Sequence, residues 1–147
     1  MSPAPIFVLP SSAPWASGTT VRISSQETEG EYCVCEMSTP PNEGVALHVH
    51  DRDEEFYYIL EGEYEMRVAN EHITAKAGAM VVIPRNVPHS FQNSGDTTAR
   101  ALMIFRPGGF DQLLNEIRQY KAIGSLGEEQ RQACLARCGI RFLSVEP

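Results

Sequence analysis

The sequence predicts an all-β barrel or sandwich followed by a short helical extension. Three observations carry this expectation. Short strand-like runs recur every ~8–12 residues from about residue 20 to 106, separated by turn residues. His48 and His50, with Glu55 and His89 beyond them, fall at the spacing of a first-row metal site built on strands. After Pro107-Gly108-Gly109 the apolar period changes from 2 to 3.6.

The elements follow in order. Residues 1–19 read as a proline-rich arm, with Pro3, Pro5, Pro10 and Pro14 around the apolar run Ile6-Phe7-Val8-Leu9. Val21 to Ser24 is the first strand. Glu31 to Ser38 alternates, with Tyr32, Val34 and Glu36 on one face and Cys33, Cys35 and Met37 on the other. Pro40 to Gly44 breaks it, Val45 to His50 forms the next strand, and Phe56 to Leu60 the one after. Glu61-Gly62 turns the chain. Tyr64, Met66 and Val68 then alternate with Glu63, Glu65 and Arg67, which gives a strand apolar on its inner face only. His72 to Lys76, Met80 to Ile83, Val87 to Gln92 and Thr98 to Phe105 complete a barrel spanning residues 20–106, with Gly78, Pro84-Arg85-Asn86 and Asn93 to Asp96 as turns. In the extension, 107–147, the stripe Phe110, Leu113, Leu114, Ile117, Tyr120 predicts an amphipathic helix packed on the barrel. Ser125-Leu126-Gly127-Glu128 resembles a capping box opening a second helix that Gly139 ends, and Ile140 to Val145 reads as extended.

Composition excludes several classes of function. With 42% hydrophobic and 21% charged residues, the chain is that of a globular domain. A net charge of −7 and the lack of Lys/Arg clusters argue against nucleic acid as a partner. No apolar run approaches the ~20 residues that span a bilayer, and Ile6 to Leu9 is too short for a secretory leader, so a cytoplasmic protein is expected. Cys33 and Cys35 at i, i+2 and Cys134 and Cys138 at i, i+4 offer poor local disulfide geometry and no Cys-x-x-Cys metal spacing; reduced thiols in the core are the expectation.

The histidines carry the chemistry. Side chains alternate across a strand, so His48 and His50 project from one face and two imidazoles can grip one ion. Asp51 to Glu54 suffices for a turn that brings the carboxylate of Glu55 back beside the pair, with Glu54 as its competitor. His89, after Val87-Pro88, can close the set from another strand. His72 fits no such pattern and reads as solvated, as do Asp51, Arg52 and Asp53 in their turn.

On these residues the chain resembles the cupin superfamily. The first cupin motif is met by His48, His50, Glu55 and Gly62, and the six-residue spacing to Gly62 selects Glu55 over Glu54; the second is met by Gly78, Pro84, His89 and Asn93. Only fifteen residues separate Gly62 from Gly78. The segment Glu55 to Glu63 and the Pro107-Gly108-Gly109-Phe110 start of the helical tail look like the small single-domain cupins called quercetin-dioxygenase-like. At two positions the pattern's glycines are replaced, by Asn42 and Asn86, and asparagine is the residue that best substitutes for glycine at positive φ.

The resemblance implies a double-stranded β-helix, or jelly-roll, barrel binding one divalent first-row transition metal (Fe, Mn, Ni, Co, Cu or Zn) through His48, His50, Glu55 and His89. Three neutral imidazoles and a carboxylate leave such an ion a net charge of about +1 and open positions, a Lewis acid beside which Glu55 can also act as general base. The implied activity is that of an oxidoreductase, a dioxygenase acting on an aromatic or enolic small molecule. A non-redox cyclase, isomerase or lyase and a non-enzymatic small-molecule-binding barrel stand as alternatives. Tyr57, Met66 and Phe91 are inner-face residues that either line a substrate pocket or pack the barrel. Trp15 reads as an anchor for the arm or an aromatic lid. Apolar segments at both ends suggest a homodimer by analogy with the superfamily.

Overall fold

The computed structural model describes residues 4–10 and 18–144. Trp15 lies outside them. Ten strands and two helices follow one another as β1 (Gly18–Ile23), β2 (Cys33–Thr39), β3 (Gly44–His50), β4 (Glu54–Glu61), β5 (Glu63–Val68), β6 (Glu71–Lys76), β7 (Met80–Ile83), β8 (His89–Asn93), β9 (Ala99–Arg106), α1 (Phe110–Ala122), α2 (Glu128–Arg137) and β10 (Ile140–Phe142). They form two antiparallel five-stranded sheets, β1-β2-β9-β4-β7 and β10-β3-β8-β5-β6. This is the jelly-roll barrel that the resemblance implies, with the C-terminal helices that the change of period predicts.

The inner faces of both sheets meet in one core. The period of 2 in β2 and β9 places Cys33, Cys35 and Met37 against Ala101, Met103 and Phe105, and Tyr57 and Ile59 of β4 join them from the neighbouring strand. Tyr64, Met66 and Phe91 supply the opposite wall. All four cysteines are free thiols, three of them buried. Asn42 and Asn86 adopt φ of 64° and 63°, the left-handed conformation expected of residues standing in for glycine at those turns. Asn93, fully buried, donates to the carbonyls of Thr39 and Thr97 at 2.8 Å each and accepts from Gly95, so this motif residue staples the loop after β8.

The extension closes one end of the barrel. Asp111, buried in the first turn of α1, accepts hydrogen bonds from the Ser25 backbone and hydroxyl at 2.9 and 3.0 Å, which ties that turn to the loop after β1. Leu113, Cys134, Leu135 and Ile140 make a second small core. The second helix starts two residues later than a Ser125 cap requires. Its N-cap is Gly127, whose N–H donates to Gln130 Oε1 at 3.1 Å; glycine has no side chain to return the bond, so only half of a capping box exists. Gly139, at φ 73°, turns the chain into β10, and a Cβ there would meet Asp51 Oδ1 at 1.9 Å. The turn delivers β10 onto β3, pairing Ile140 with His50 and Phe142 with His48.

Candidate metal centre

The two sheets present the four candidate ligands to one another. His48 and His50 project inward from β3, and His89, the first residue of β8, pairs in register with His48. Glu55 faces them from β4 in the other sheet, between Phe105 and Ile83. Strand parity decides between the neighbouring acids: Glu55 shares the inner face with Tyr57 and Ile59, whereas Glu54 points outward, 3.9 Å from Arg106. The ligand atoms of His48, His50, Glu55 and His89 lie within 4.8 Å of one another, and all four residues are buried.

Backbone geometry fixes which nitrogen faces the centre. His48 Nδ1 lies 2.8 Å from the carbonyl of Ala46 and His89 Nδ1 lies 2.9 Å from that of Val87. A carbonyl oxygen only accepts, so each Nδ1 carries its hydrogen and each Nε2 is turned inward. His50 Nδ1 is held by the Asp53 carboxylate at 3.0 Å. Glu55 Oε2 sits 2.6 Å from His89 Nε2 without the alignment of a hydrogen bond, and neither atom has another partner. Two buried polar atoms this close, neither with a hydrogen-bond partner, fit a shared cation.

The electrostatics differ from one ligand to the next. Burial, assisted by the nearby His89, pulls the His48 imidazole down to about 4, which keeps it neutral as a metal ligand needs. For His50 burial also acts downward, but the hydrogen bond to Asp53 and the charge of Glu55 outweigh it and raise the imidazole above its usual value. Burial pushes the Glu55 carboxyl up, yet the adjacent His89 imidazole and the nearby His50 dominate and hold it below the usual carboxylate range. Tyr57 donates to Glu55 Oε1 at 3.3 Å; burial beside that carboxylate pushes its phenol well above the ordinary value, so it stays a donor.

Asp53 corrects the reading of its turn. Asp51 and Arg52 are exposed as expected, but Asp53 is buried and serves as the carboxylate that orients His50. An acid three residues after a ligand histidine was the available signal. Replacing Asp53 with Asn is expected to weaken divalent metal affinity by about 10–100-fold while the four ligands remain, the usual cost of losing such a partner; calorimetric titration with Zn or Ni checks it, and unchanged affinity contradicts the role.

Beside the candidate centre lies a cavity of about 210 Å³, lined by His48, His50 and Glu55 of the four ligands. Tyr57 and Phe91 line it, as two of the three proposed pocket residues. Met66 does not. It sits on β5 opposite Phe91, beyond β8 from the cavity, and is buried in the core. The sequence reading missed the wall that the extension supplies: Phe110, Leu113, Leu114 and Ile117 of α1, Leu135 of α2, and Ile140 and Phe142 of β10. The helical stripe read as packing is also the roof of this space. Phe142 approaches His48 at 5.4 Å between ring centroids, and Phe110 stacks on Phe105 at 4.0 Å. The ionisable residues lining the cavity are His48, His50, Glu55 and Tyr57, with no lysine or arginine among the described ones.

Known proteins resemble this chain in sequence and fold. The cupin domain family model matches residues 35–105. An uncharacterized protein of Methanocaldococcus jannaschii is 35% identical over 74 residues, which cover 50% of this chain and 59% of that protein. The quercetin 2,3-dioxygenase of Bacillus subtilis is 25% identical over 88 residues, 60% of this chain and 26% of the enzyme. Among solved structures, a predicted oxalate decarboxylase from Thermotoga maritima superimposes with a TM-score of 0.58 at 27% identity, covering 60% of this chain and 78% of that one. The chain thus spans well under two thirds of these curated relatives, and the family match stops before α1. Two five-stranded jelly-roll sheets, both motifs in place and the family match together show that residues 35–105 of this chain form a cupin domain.

Proposed function

We propose that the protein is a metal-dependent enzyme acting on a small, uncharged aromatic or enolic molecule, with dioxygenation as its reaction. The observation that carries this reading is that three of the four buried ligands, His48, His50 and Glu55, line an apolar cavity without a cationic side chain among the described residues. A cavity of about 210 Å³ is smaller than the ~300–1,000 Å³ of drug-sized ligand sites, which suits one or two rings. A small dicarboxylate would bring two negative charges against a site whose own balance is about +1, with no arginine to pair the remainder. Similarity to a quercetin dioxygenase supports the oxidative form.

His48, His50, Glu55 and His89 would hold a divalent first-row ion. Such an ion supplies Lewis acidity and, where redox-active, one-electron chemistry. The chain supplies the rest. Glu55, ionised and at the cavity floor, accepts the proton of a substrate hydroxyl, and Tyr57 holds Oε1 in place for that transfer. Phe91, Phe110 and Phe142 sandwich a planar ring and exclude water. The proton-accepting role of Glu55 requires no redox step, which keeps a cyclase, isomerase or lyase as the second reading. Oxygen-electrode assays with flavonol and catechol probes decide: the protein loaded with Fe, Mn, Ni, Co or Cu is expected to consume O₂, and the Zn form is not. Turnover by the Zn form without O₂ transfers the assignment to the non-redox reading; no complex with either probe under any metal contradicts both.

A further inference from the structure

Sulfur collects at one place in the barrel. Cys33, Cys35 and Met37 follow one another at i, i+2 and i+4 on the inner face of β2, and Met103 of β9 stands opposite Cys35 in register. Both thiols are 0% exposed, and the two methionines are buried with them. None of the four is a ligand of the nitrogen–oxygen centre. Cys33 lies beside Cys35, yet the two are poorly placed to form a disulfide. That bond needs Cβ atoms ~3.5–4.5 Å apart, whereas same-face neighbours on a strand stand roughly 6.6 Å apart. An ion bridging two sulfurs at the ~2.3 Å of a metal–sulfur bond spans this separation.

We propose that Cys33, Cys35 and Met103 form a second metal site, one for a soft monovalent cation of the Cu(I) class. Thiolate and thioether donors favour such ions over the harder divalent ones that imidazole and carboxylate accept. Charge selects in the same direction. The neighbouring Cys35, helped by the backbone amides of Asp111 and Gly109 at the start of α1, holds the Cys33 thiol below its ordinary value against the effect of burial; Cys33 and burial push the Cys35 thiol up. The pair therefore accommodates one thiolate. A Cu(I) ion that takes the place of the Cys33 proton, which leaves to solvent, makes a neutral group with the Cys35 and Met103 sulfurs as further donors. A divalent ion there would leave a buried charge without a partner. Entry is from the cavity beside the candidate centre: Met37 and Met103 line it, and Cys35 adjoins both. Their flexible thioethers can swing to pass an ion inward. Phe105 stands between Cys33 and Glu55 in register, so the two centres are separated by two strand spacings, roughly 9.6 Å.

Anaerobic titration of the full chain with Cu(I), followed by thiolate-to-Cu(I) charge-transfer absorption in the ultraviolet, tests this. The nitrogen–oxygen centre holds no sulfur and contributes nothing to that band. A band that grows to a plateau is expected in the wild type, and equally in a double variant, Cys134→Ala with Cys138→Ala, that lacks the other two thiols. Cys33→Ala and Cys35→Ala should each lose it, with far-UV circular dichroism and Zn uptake unchanged. Met103→Leu conserves volume and should lower the Cu(I) affinity; it decides alone if the alanine variants at Cys33 and Cys35 fail to fold. No band in the wild type, its loss in the double variant, an undiminished band in either Cys33→Ala or Cys35→Ala, or an unchanged affinity in Met103→Leu overturns the site.

Discussion

Replacing His89 with alanine is expected to abolish stoichiometric divalent metal binding, a larger loss than the ~10–100-fold attached to an orienting partner such as Asp53. His89 is completely buried, at the start of β8, and its Nε2 is the nearest ligand atom to Glu55 Oε2. Removing it takes away one donor and leaves a buried carboxylate oxygen without its neighbour, which costs the apo fold about 1–3 kcal/mol. The two effects separate by experiment. In the wild type, metal at 100 times its dissociation constant adds about 2.7 kcal/mol to stability. Thermal melts with and without Ni or Zn should show that gain, and the variant should show none. An equal metal-induced gain in His89→Ala contradicts the assignment.

Phe105→Ala should be the most damaging single truncation of the core, at about 3–5 kcal/mol or a fall in Tm of roughly 6–20 °C. Phe105 is 1% exposed, faces the barrel interior beside Glu55 in register, and stacks on Phe110 at 4.0 Å. The ring joins the barrel core to the extension. Its loss leaves a cavity against the ligand site and frees the first turn of α1 from its stacking partner. Urea unfolding followed by circular dichroism measures the cost; a change below 1 kcal/mol means that the site collapses without consequence and that the extension is held otherwise.

Much of this fold was legible because period-2 alternation is a local signal with a long-range consequence. Cys33, Cys35 and Met37, or Tyr64 and Met66, can face inward only together, and they do. The same parity turns Glu55 toward the histidines and Glu54 away. Asn42 and Asn86 were legible for a steric reason, since each occupies the left-handed region that the motif reserves for glycine.

What escaped the sequence depends on contacts between distant segments. The amphipathic stripe of α1 announces a packed helix but not what it packs over, so the cavity roof appears only once β10 and α1 are placed. Met66 obeys its alternation and is buried, yet alternation cannot say which inward residues reach the cavity. Asp53 looked like one more acid in a charged turn, and only the position of the His50 ring makes it an orienting group.

Elemental analysis of the full chain purified without added metal, alongside His48→Ala, tests the central claim most directly. One equivalent of a first-row divalent ion per chain is expected in the wild type, and its loss in a variant whose circular dichroism is unchanged. A folded wild-type chain that holds no such ion and takes none up on titration, or a variant that retains a full equivalent, would contradict the metal centre formed by His48, His50, Glu55 and His89.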